Sequence, residues 1–286
     1  NKKNKFLIEG KSINLTNYIK SITSKKKKKS LFSESFKGKF DINFKKVFIA
    51  DDTLNNVVMT STFNNKKIVS LNGFGAFSKE ETAEIEIKKN NKNNLETKII
   101  SDRSRPFLIG LKFTKDFTNG KLTFLSEKIN KNISYNKVTL TNFYVKKMPI
   151  LANLLSLTSF SGILDTLEGK GVFFDKSYLE YEIKNKKLSI IDGYGTGDSL
   201  GYILKGNINS DGFVSLNGNL VPAYMLNNLI RQIPIIGKVL TGKKGDGIFG
   251  ASFKIKGKTN SLKTTVNPVR TLTPRFIQRF LELFKT

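Results

Sequence analysis

Cysteine, histidine and tryptophan are all missing from this chain. Without Cys there are no disulfides and no thiolate chemistry, and the redox compartment leaves no mark on the sequence. Without His, the commonest general base and the commonest transition-metal ligand are gone, so Ser-His-Asp and Cys-His arrangements are excluded. Catalysis would have to rest on paired carboxylates, a lysine or a borrowed cofactor, and the expectation is a non-enzyme without a cofactor. Arginine is scarce, confined to Arg103, Arg105, Arg231, Arg270, Arg275 and Arg279. No apolar run reaches the roughly 18 residues that a membrane-spanning helix needs, and no charged-apolar-small signal pattern opens the chain. The sequence begins at Asn1 rather than Met, as expected of a fragment or a processed chain. Any membrane anchor would then lie in a missing N-terminal part.

Lysine, by contrast, is abundant. Lys and Arg total 49 against 23 Asp and Glu, a net charge of +26. Such an excess favours polyanions: nucleic acid, lipopolysaccharide or an anionic lipid surface. Specific nucleic-acid sites use arginine forks and regularly interleaved aromatic platforms. No such interleaving occurs, and no nucleic-acid partner is expected. Lys, Asn, Ile and Phe all have A/T-rich codons, so genome composition accounts for the lysine ahead of nucleic-acid binding. The run Lys25–Lys29, between Ser-rich flanks, reads as a solvated loop.

A chain of 286 residues is long enough for one large β-rich domain or two smaller ones. Its first two-thirds reads as successive strands. Phe40, Ile42 and Phe44 alternate with Lys39, Asp41, Asn43 and Lys45; Ala83, Ile85 and Ile87 alternate with Glu84, Glu86 and Lys88; Leu95, Thr97 and Ile99 repeat the pattern. Period-two alternation places one face on apolar contacts and the other in water. Turn signals separate the runs at Asn64-Asn65, Asn90-Asn91, Asn93-Asn94, Asn119-Gly120, Asn130 to Asn132 and Asp211-Gly212. Short strands without long intervening helices predict an antiparallel meander, open or rolled, rather than a βαβ sheet.

Three segments break that rhythm. From Pro149 to Glu168, Ile150, Leu151, Leu154, Leu155, Ile163, Leu164 and Leu167 fall at helical spacings. The Ser159-Phe160-Ser161-Gly162 interruption divides them into two short helices. Pro222 to Gly242 carries Tyr224, Met225, Leu226, Leu229 and Ile230, then Ile235, Ile236, Val239 and Leu240 after Pro234. The last segment has Thr273 as N-cap and Pro274 at the first helical position. Phe276, Ile277, Phe280, Leu281 and Phe284 then form a stripe opposite Arg275, Gln278, Arg279, Glu282 and Lys285. That basic amphipathic helix suits a bilayer interface; the competing reading of every helix here is a lid packed on the sheet as ordinary core.

Several motifs fail on inspection. Gly237 to Lys243 matches a phosphate-binding loop up to its lysine, but Lys244 stands where Ser or Thr would hold Mg²⁺. Gly193-Tyr-Gly195-Thr-Gly197 lacks the third glycine of a dinucleotide fingerprint and reads as a strand whose missing side chains admit close packing. Asn207 to Gly218 imitates a calcium loop, yet its twelfth residue is Gly218 where Glu is required. Glu80-Glu81, Asp51-Asp52 and Glu180 with Glu182 are carboxylate pairs in hydrophilic, turn-like or solvent-alternating contexts, without the desolvation that tunes a catalytic acid.

The order of blocks from about Leu95 to Phe284 resembles the C-terminal region of AsmA-like proteins, the YhdP/TamB-related group of Gram-negative envelope proteins. The blocks are Phe143-Tyr-Val-Lys-Lys-Met-Pro149 leading into a Leu-rich helix, and Ser161-Gly-Ile-Leu-Asp-Thr-Leu-Glu-Gly-Lys-Gly-Val-Phe173 returning to the sheet. Asp198-Ser-Leu-Gly201 with Gly206 follows, then Val221-Pro-Ala-Tyr-Met-Leu-Asn227 running on to Ile233-Pro-Ile-Ile-Gly237 and Gly242 to Phe249. Val266-Asn-Pro268 with Thr273-Pro-Arg-Phe276 closes the series. The chain departs from the family in its strongly basic charge and in Arg270-Thr271 after Asn267-Pro268. The resemblance implies a long curved β-sheet, tied to the inner membrane through a segment absent here and standing in the periplasm, whose apolar groove conducts phospholipid towards the outer membrane.

The expected architecture is therefore mainly β: a long curved antiparallel sheet with an apolar groove and short amphipathic helices, one of them C-terminal. Residues 1–94 are expected to form a β-rich N-terminal part with a loop at 23–35. Residues 95–286 are expected to form the AsmA-like region, with helices near 149–168, 222–241 and 273–284. Leu154, Leu155, Ile230, Ile236, Leu240, Phe276 and Phe280 are the expected lipid or membrane contacts, with phospholipid and the inner membrane as partners, the outer membrane as a further candidate, and unknown envelope proteins besides. The alternatives are a scaffolding envelope protein with a closed core, and a binder of lipopolysaccharide or nucleic acid.

Overall fold

The computed structural model describes residues 4–17, 36–65, 67–108, 117–146, 148–158, 161–223 and 250–269. They are mainly β. The strands are β1 (Asn4–Asn14), β2 (Lys37–Ile49), β3 (Asp52–Asn64), β4 (Lys67–Ala76), β5 (Thr82–Lys89), β6 (Leu95–Ser101) and β7 (Phe117–Lys128). They continue with β8 (Ile133–Val145), β9 (Val172–Lys184), β10 (Lys187–Thr196), β11 (Leu200–Ile208), β12 (Phe213–Pro222), β13 (Gly250–Lys258) and β14 (Ser261–Val269). All fourteen belong to one open sheet whose strand order is the order of the sequence. Among the described residues, three short helices interrupt it: α1 (Arg105–Leu108) after β6, and α2 (Pro149–Leu157) and α3 (Ser161–Glu168) after β8.

The sheet departs from the expected antiparallel meander at one place: β1 runs parallel to β2, pairing Phe6 with Phe40 and Ile8 with Ile42. A tight hairpin cannot join a parallel pair. The chain divides into two compact units, Asn1–Leu140 and Thr141–Thr286. Residues 94 and 95, the expected boundary, instead sit in the β5–β6 hairpin, where Lys89 pairs with Leu95.

Hairpin ends follow the asparagine signals. Asn65, Asn93 and Asn185 adopt left-handed backbone angles (φ 48°, 63° and 51°), joined by Lys186 at φ 66°. Asn tolerates this region better than other side chains because its amide bonds locally to the turn backbone. Asn90 shows how: its Oδ1 accepts the backbone N–H of Lys92 and of Asn94, both at 3.0 Å.

In the first unit the alternation slips at one level across three neighbouring strands. The doublets Lys11-Ser12, Lys45-Lys46 and Asn55-Asn56 stand side by side in the ladder, with Asn56 at φ 50°. Beyond the doublets Val47, Ile49 and Leu54 rejoin the apolar side and are buried together with Phe77 and Ala83. Ile13, Leu15, Phe44, Val57 and Phe107 pack against this cluster. It closes the end of the unit where α1 lies.

The two helices expected from Pro149 to Glu168 are α2 and α3. Pro149 occupies the first helical turn after an extended Met148, as its fixed φ and missing N–H favour. Thr158 ends α2, its Oγ1 donating to the Leu155 carbonyl at 2.8 Å. The loop at 23–35 and the helices expected at 222–241 and 273–284 lie outside the described residues, except for Pro222, which ends β12, and Ala223.

Candidate lipid-binding face

Residues paired in a ladder project from the same side of a sheet, so the registers can be read as rows crossing the strands. One row in the first unit runs Ile8, Ile42, Met59, Gly73, Ile85, Ile99, Phe124 over seven strands without a polar member. The next runs Phe6, Phe40, Ser61, Leu71, Ile87, Thr97, Ser126. The rows of the other side contrast by mixing polar and apolar residues: Leu7, Asp41, Thr60, Asn72, Glu86, Lys98, Leu125 is one of them, and Val58, Phe74, Glu84, Ile100 another.

The second unit repeats the contrast. Tyr181, Ile190, Gly206, Leu216, Ile255 and Thr264 form one row, and Ile183, Leu188, Ile208, Val214, Gly257 and Leu262 another. Lys205, Asn217, Lys254 and Thr265 make a row of the opposite side. Tyr202 belongs to the apolar side, over Gly195, and its hydroxyl meets Ser177 Oγ at 2.5 Å. Burial pushes the Tyr202 phenol up, and the Ser177 hydrogen bond pulls it partly back.

Burial separates the two units. In the first, Ile42, Met59, Ile85, Ile87, Ile99 and Phe124 are only half-buried, so among the described residues no second layer lies on the middle of the apolar face. Its end opposite α1 gathers Phe6, Phe36, Phe40 and Phe63, with Phe6 stacked on Phe40 at 4.9 Å between ring centroids and Phe63 edge-on to Phe40 at 5.5 Å. In the second unit α2 lies against β14, where Asn153 Nδ2 donates to Thr264 Oγ1 at 2.5 Å. Thr264 stands in an apolar-side row, so the helix sits on that side of the sheet.

That placement decides the role of two expected contact residues. Leu154 is 4% exposed and Leu155 fully buried, with Leu151 beside them. They anchor α2 as part of the unit's core instead of offering an open surface. Ile230, Ile236, Leu240, Phe276 and Phe280 lie outside the described residues. The residues that form the open face were legible only as alternation in β2, β5 and β6. Their joining into uninterrupted rows depends on register, which the sequence alone did not supply.

Both ends of the first unit's strands mix charges of opposite sign. At the α1 end of the first unit, Arg103 reaches Asp52 with Nη1 at 2.9 Å and Glu81 with Nη2 at 2.6 Å, its guanidinium 5.1 Å from the Phe77 ring centroid. Arg105 pairs with Asp51, and Lys121 with Asp102 at 2.8 Å. The hydrogen bond from Arg103 lowers the Glu81 pKa, and that from Lys121 lowers the Asp102 pKa. At the opposite end the β5–β6 hairpin sets Lys88, Lys89 and Lys92 beside Glu86, Glu96 and Glu127.

A surface depression of about 420 Å³ lined by Val58, Phe74, Glu84, Glu86, Lys98 and Ile100 lies on the opposite, polar side. It is open and mixed in character, and Met59, Gly73 and Ile85 of the apolar row also contribute to its lining. Among the described residues no three His, Cys, Asp or Glu side chains are grouped to hold a metal ion. No helix among them is long and apolar enough to cross a membrane. Comparison with protein-family models, with curated proteins and with solved structures gave no match.

Proposed function

We propose that this is a non-enzymatic envelope protein of the AsmA-like kind, held at the inner membrane through a segment outside this chain, which binds phospholipid and conducts it across the periplasm for outer-membrane biogenesis. The observation that carries the reading is the seven-strand row from Ile8 to Phe124, half-buried from Ile42 onward and, among the described residues, without a covering layer in the first unit. An antiparallel sheet normally buries its apolar face on a core, and an apolar surface left this extensive marks a binding site. Acyl chains fit it physically. They are apolar, flexible and long enough to lie across several strands, and they need no directional partner from a face whose backbone hydrogen bonds are already used within the ladder. The mechanism is passive: tails lie on the rows, headgroups remain in water at the strand ends, and movement follows whatever gradient the membranes impose.

The test is native mass spectrometry with lipid extraction on the protein expressed with an export signal in a Gram-negative host. Co-purifying phospholipid that disappears in a folded I85D/I99D double variant is the expected result. A stable wild-type protein that carries no lipid would sink the reading and move a closed scaffolding role to first place.

A further inference from the structure

We propose that β1 is a pairing edge for a second copy of this chain: two β1 strands join antiparallel about a two-fold axis at Leu7 and make one continuous sheet of two first units. This goes beyond the lipid-binding reading and does not depend on it.

Among the described residues the sheet has two edges, β1 and β14, and they are built differently. β14 carries Lys263 and also Pro268, which has no N–H to give a ladder; both are devices that blunt an edge. β1 is an unbroken strand of 11 residues without proline. An edge strand turns the N–H and C=O of every second residue away from its neighbour, and those groups are a template for another strand. The side chains of β1 are open as well: Phe6 is 37% exposed, Leu7 62% and Ile8 40%.

The sequence of β1 decides what fits this edge. A two-fold axis perpendicular to the sheet keeps both apolar faces on one side, and period-two alternation then requires one residue of β1 to face itself. Centred on Leu7, the register sets Lys5 opposite Glu9 twice, Phe6 opposite Ile8 twice and Leu7 opposite Leu7. Opposite charges and apolar pairs are the favourable neighbours across an antiparallel ladder, and like charges the unfavourable ones. Centring on Ile8 brings Lys5 onto Lys11, and centring on Glu9 brings two carboxylates together. Centring on Phe6 leaves Lys5 opposite Leu7. The Leu7 register meets Lys3 with Lys11 beyond Gly10, so the ladder covers Asn4 to Gly10.

The matching charges are already positioned. Lys5 Nζ lies 2.9 Å from Asp41 with its side chain still 69% exposed, and Asn43 Nδ2 donates to Glu9 Oε1 at 3.0 Å. On the apolar side, Ile8 of one copy meets Phe6 of the other. The row from Ile8 to Phe124 thereby runs on into the Phe6–Phe40 row of the second copy.

Two copies of net charge +26 repel at long range. Association is therefore measured on the full chain by analytical ultracentrifugation at about 0.15 M salt, where charges more than about 8 Å apart are largely screened. A dimer forming between about 1 and 100 µM is expected of so small an interface; a monomer throughout overturns the inference. Lys5→Glu and Glu9→Lys each turn both ion pairs into like-charge pairs, and each variant alone should associate about tenfold more weakly. Mixed one to one, they restore opposite charges at both places, and a heterodimer of wild-type strength should form. Variants that dimerise like wild type, or a mixture no stronger than its components, overturn the inference. The register is read from thiols, since the chain has no cysteine of its own. Leu7→Cys faces its own copy across the axis and should oxidise in air to a disulfide-linked dimer. Lys11→Cys, exposed but about 27 Å from its counterpart at 3.4 Å per residue, should cross-link at least about tenfold more slowly. Equal cross-linking of the two overturns the register and the inference with it.

Discussion

The Tyr202 ring fills the space that a side chain on Gly195 would need. A Cβ built on Gly195 would stand 2.2 Å from the ring's Cε1, and the hydroxyl at the far end of that ring meets Ser177 Oγ. One glycine thus lets an aromatic residue cross its neighbouring strand and reach the next one over. Gly195→Val is expected to destabilise the protein by about 1–3 kcal/mol, the usual cost of forcing volume into a packed site. Tyr202→Phe is expected to cost about 1 kcal/mol through the unpaired Ser177 hydroxyl. Urea unfolding of both variants checks the order; a neutral Gly195→Val would mean that Tyr202 has another place to go.

Arg103 is the hub of the α1 end. Its fork serves Glu81 twice, through Nε at 3.1 Å and Nη2 at 2.6 Å, while Nη1 reaches Asp52. Arg103→Lys keeps the charge but loses the fork and the planar contact with Phe77. The side chain is 38% exposed, so solvent screening holds the expected loss to about 1 kcal/mol. A melting temperature unchanged by Arg103→Lys would reduce this network to surface decoration.

The same network sets an acid limit. Glu81 and Asp102 both have folded pKa values below their ordinary ones, chiefly through hydrogen bonds from Arg103 and Lys121. A carboxylate with a lowered folded pKa contributes stability that is complete above its unfolded value, near 4, and is lost as pH falls through the folded value. Stability should therefore be level through neutral pH and decline below about pH 4. Asp102→Asn should flatten part of that decline, measured as unfolding midpoint against pH.

Lys186 sits in the β9–β10 turn with φ 66°, a left-handed conformation costing an ordinary residue about 1 kcal/mol or more. Lys186→Gly is expected to stabilise the hairpin by up to about 1 kcal/mol, part of the relief being offset by glycine's greater freedom when unfolded. A destabilised variant would show that the lysine's charge or packing outweighs the backbone.

Leu155→Asp and Ile85→Asp should fail differently. Leu155 has no exposed surface, and an unpaired carboxylate there is expected to unfold the second unit, visible as lost cooperativity in thermal melting. Ile85 is half-buried on the open face, so its variant should stay folded and lose bound lipid. Matching losses of fold would place both residues in closed core.

Much of this architecture was legible because period-two alternation is a direct imprint of a sheet with unlike faces. Phe40-Ile42-Phe44 and Ala83-Ile85-Ile87 gave β2 and β5, asparagine doublets gave the hairpins, and the Ser159 to Gly162 interruption gave two helices. The slip at Lys45-Lys46 is written in the sequence as well: apolar residues resume at Val47 and Ile49, one position out of phase. What escaped was non-local. The parallel direction of the β1–β2 pair leaves no local pattern, and the Leu154-Leu155 stripe looks the same whether it meets lipid or a sheet.

Strand order equal to sequence order makes the sheet a ruler that can be cut at any hairpin. Neighbouring strands lie about 4.8 Å apart, so inserting or deleting one hairpin changes the row of side chains by about 10 Å without rerouting any other connection. A sheet built this way can be lengthened or shortened by duplication or loss of a single hairpin. The asparagine turns are the natural places for such changes, since each hairpin's register is closed within itself. Length, in this fold, is a property that evolution can adjust in fixed steps while the chemistry of the face stays the same.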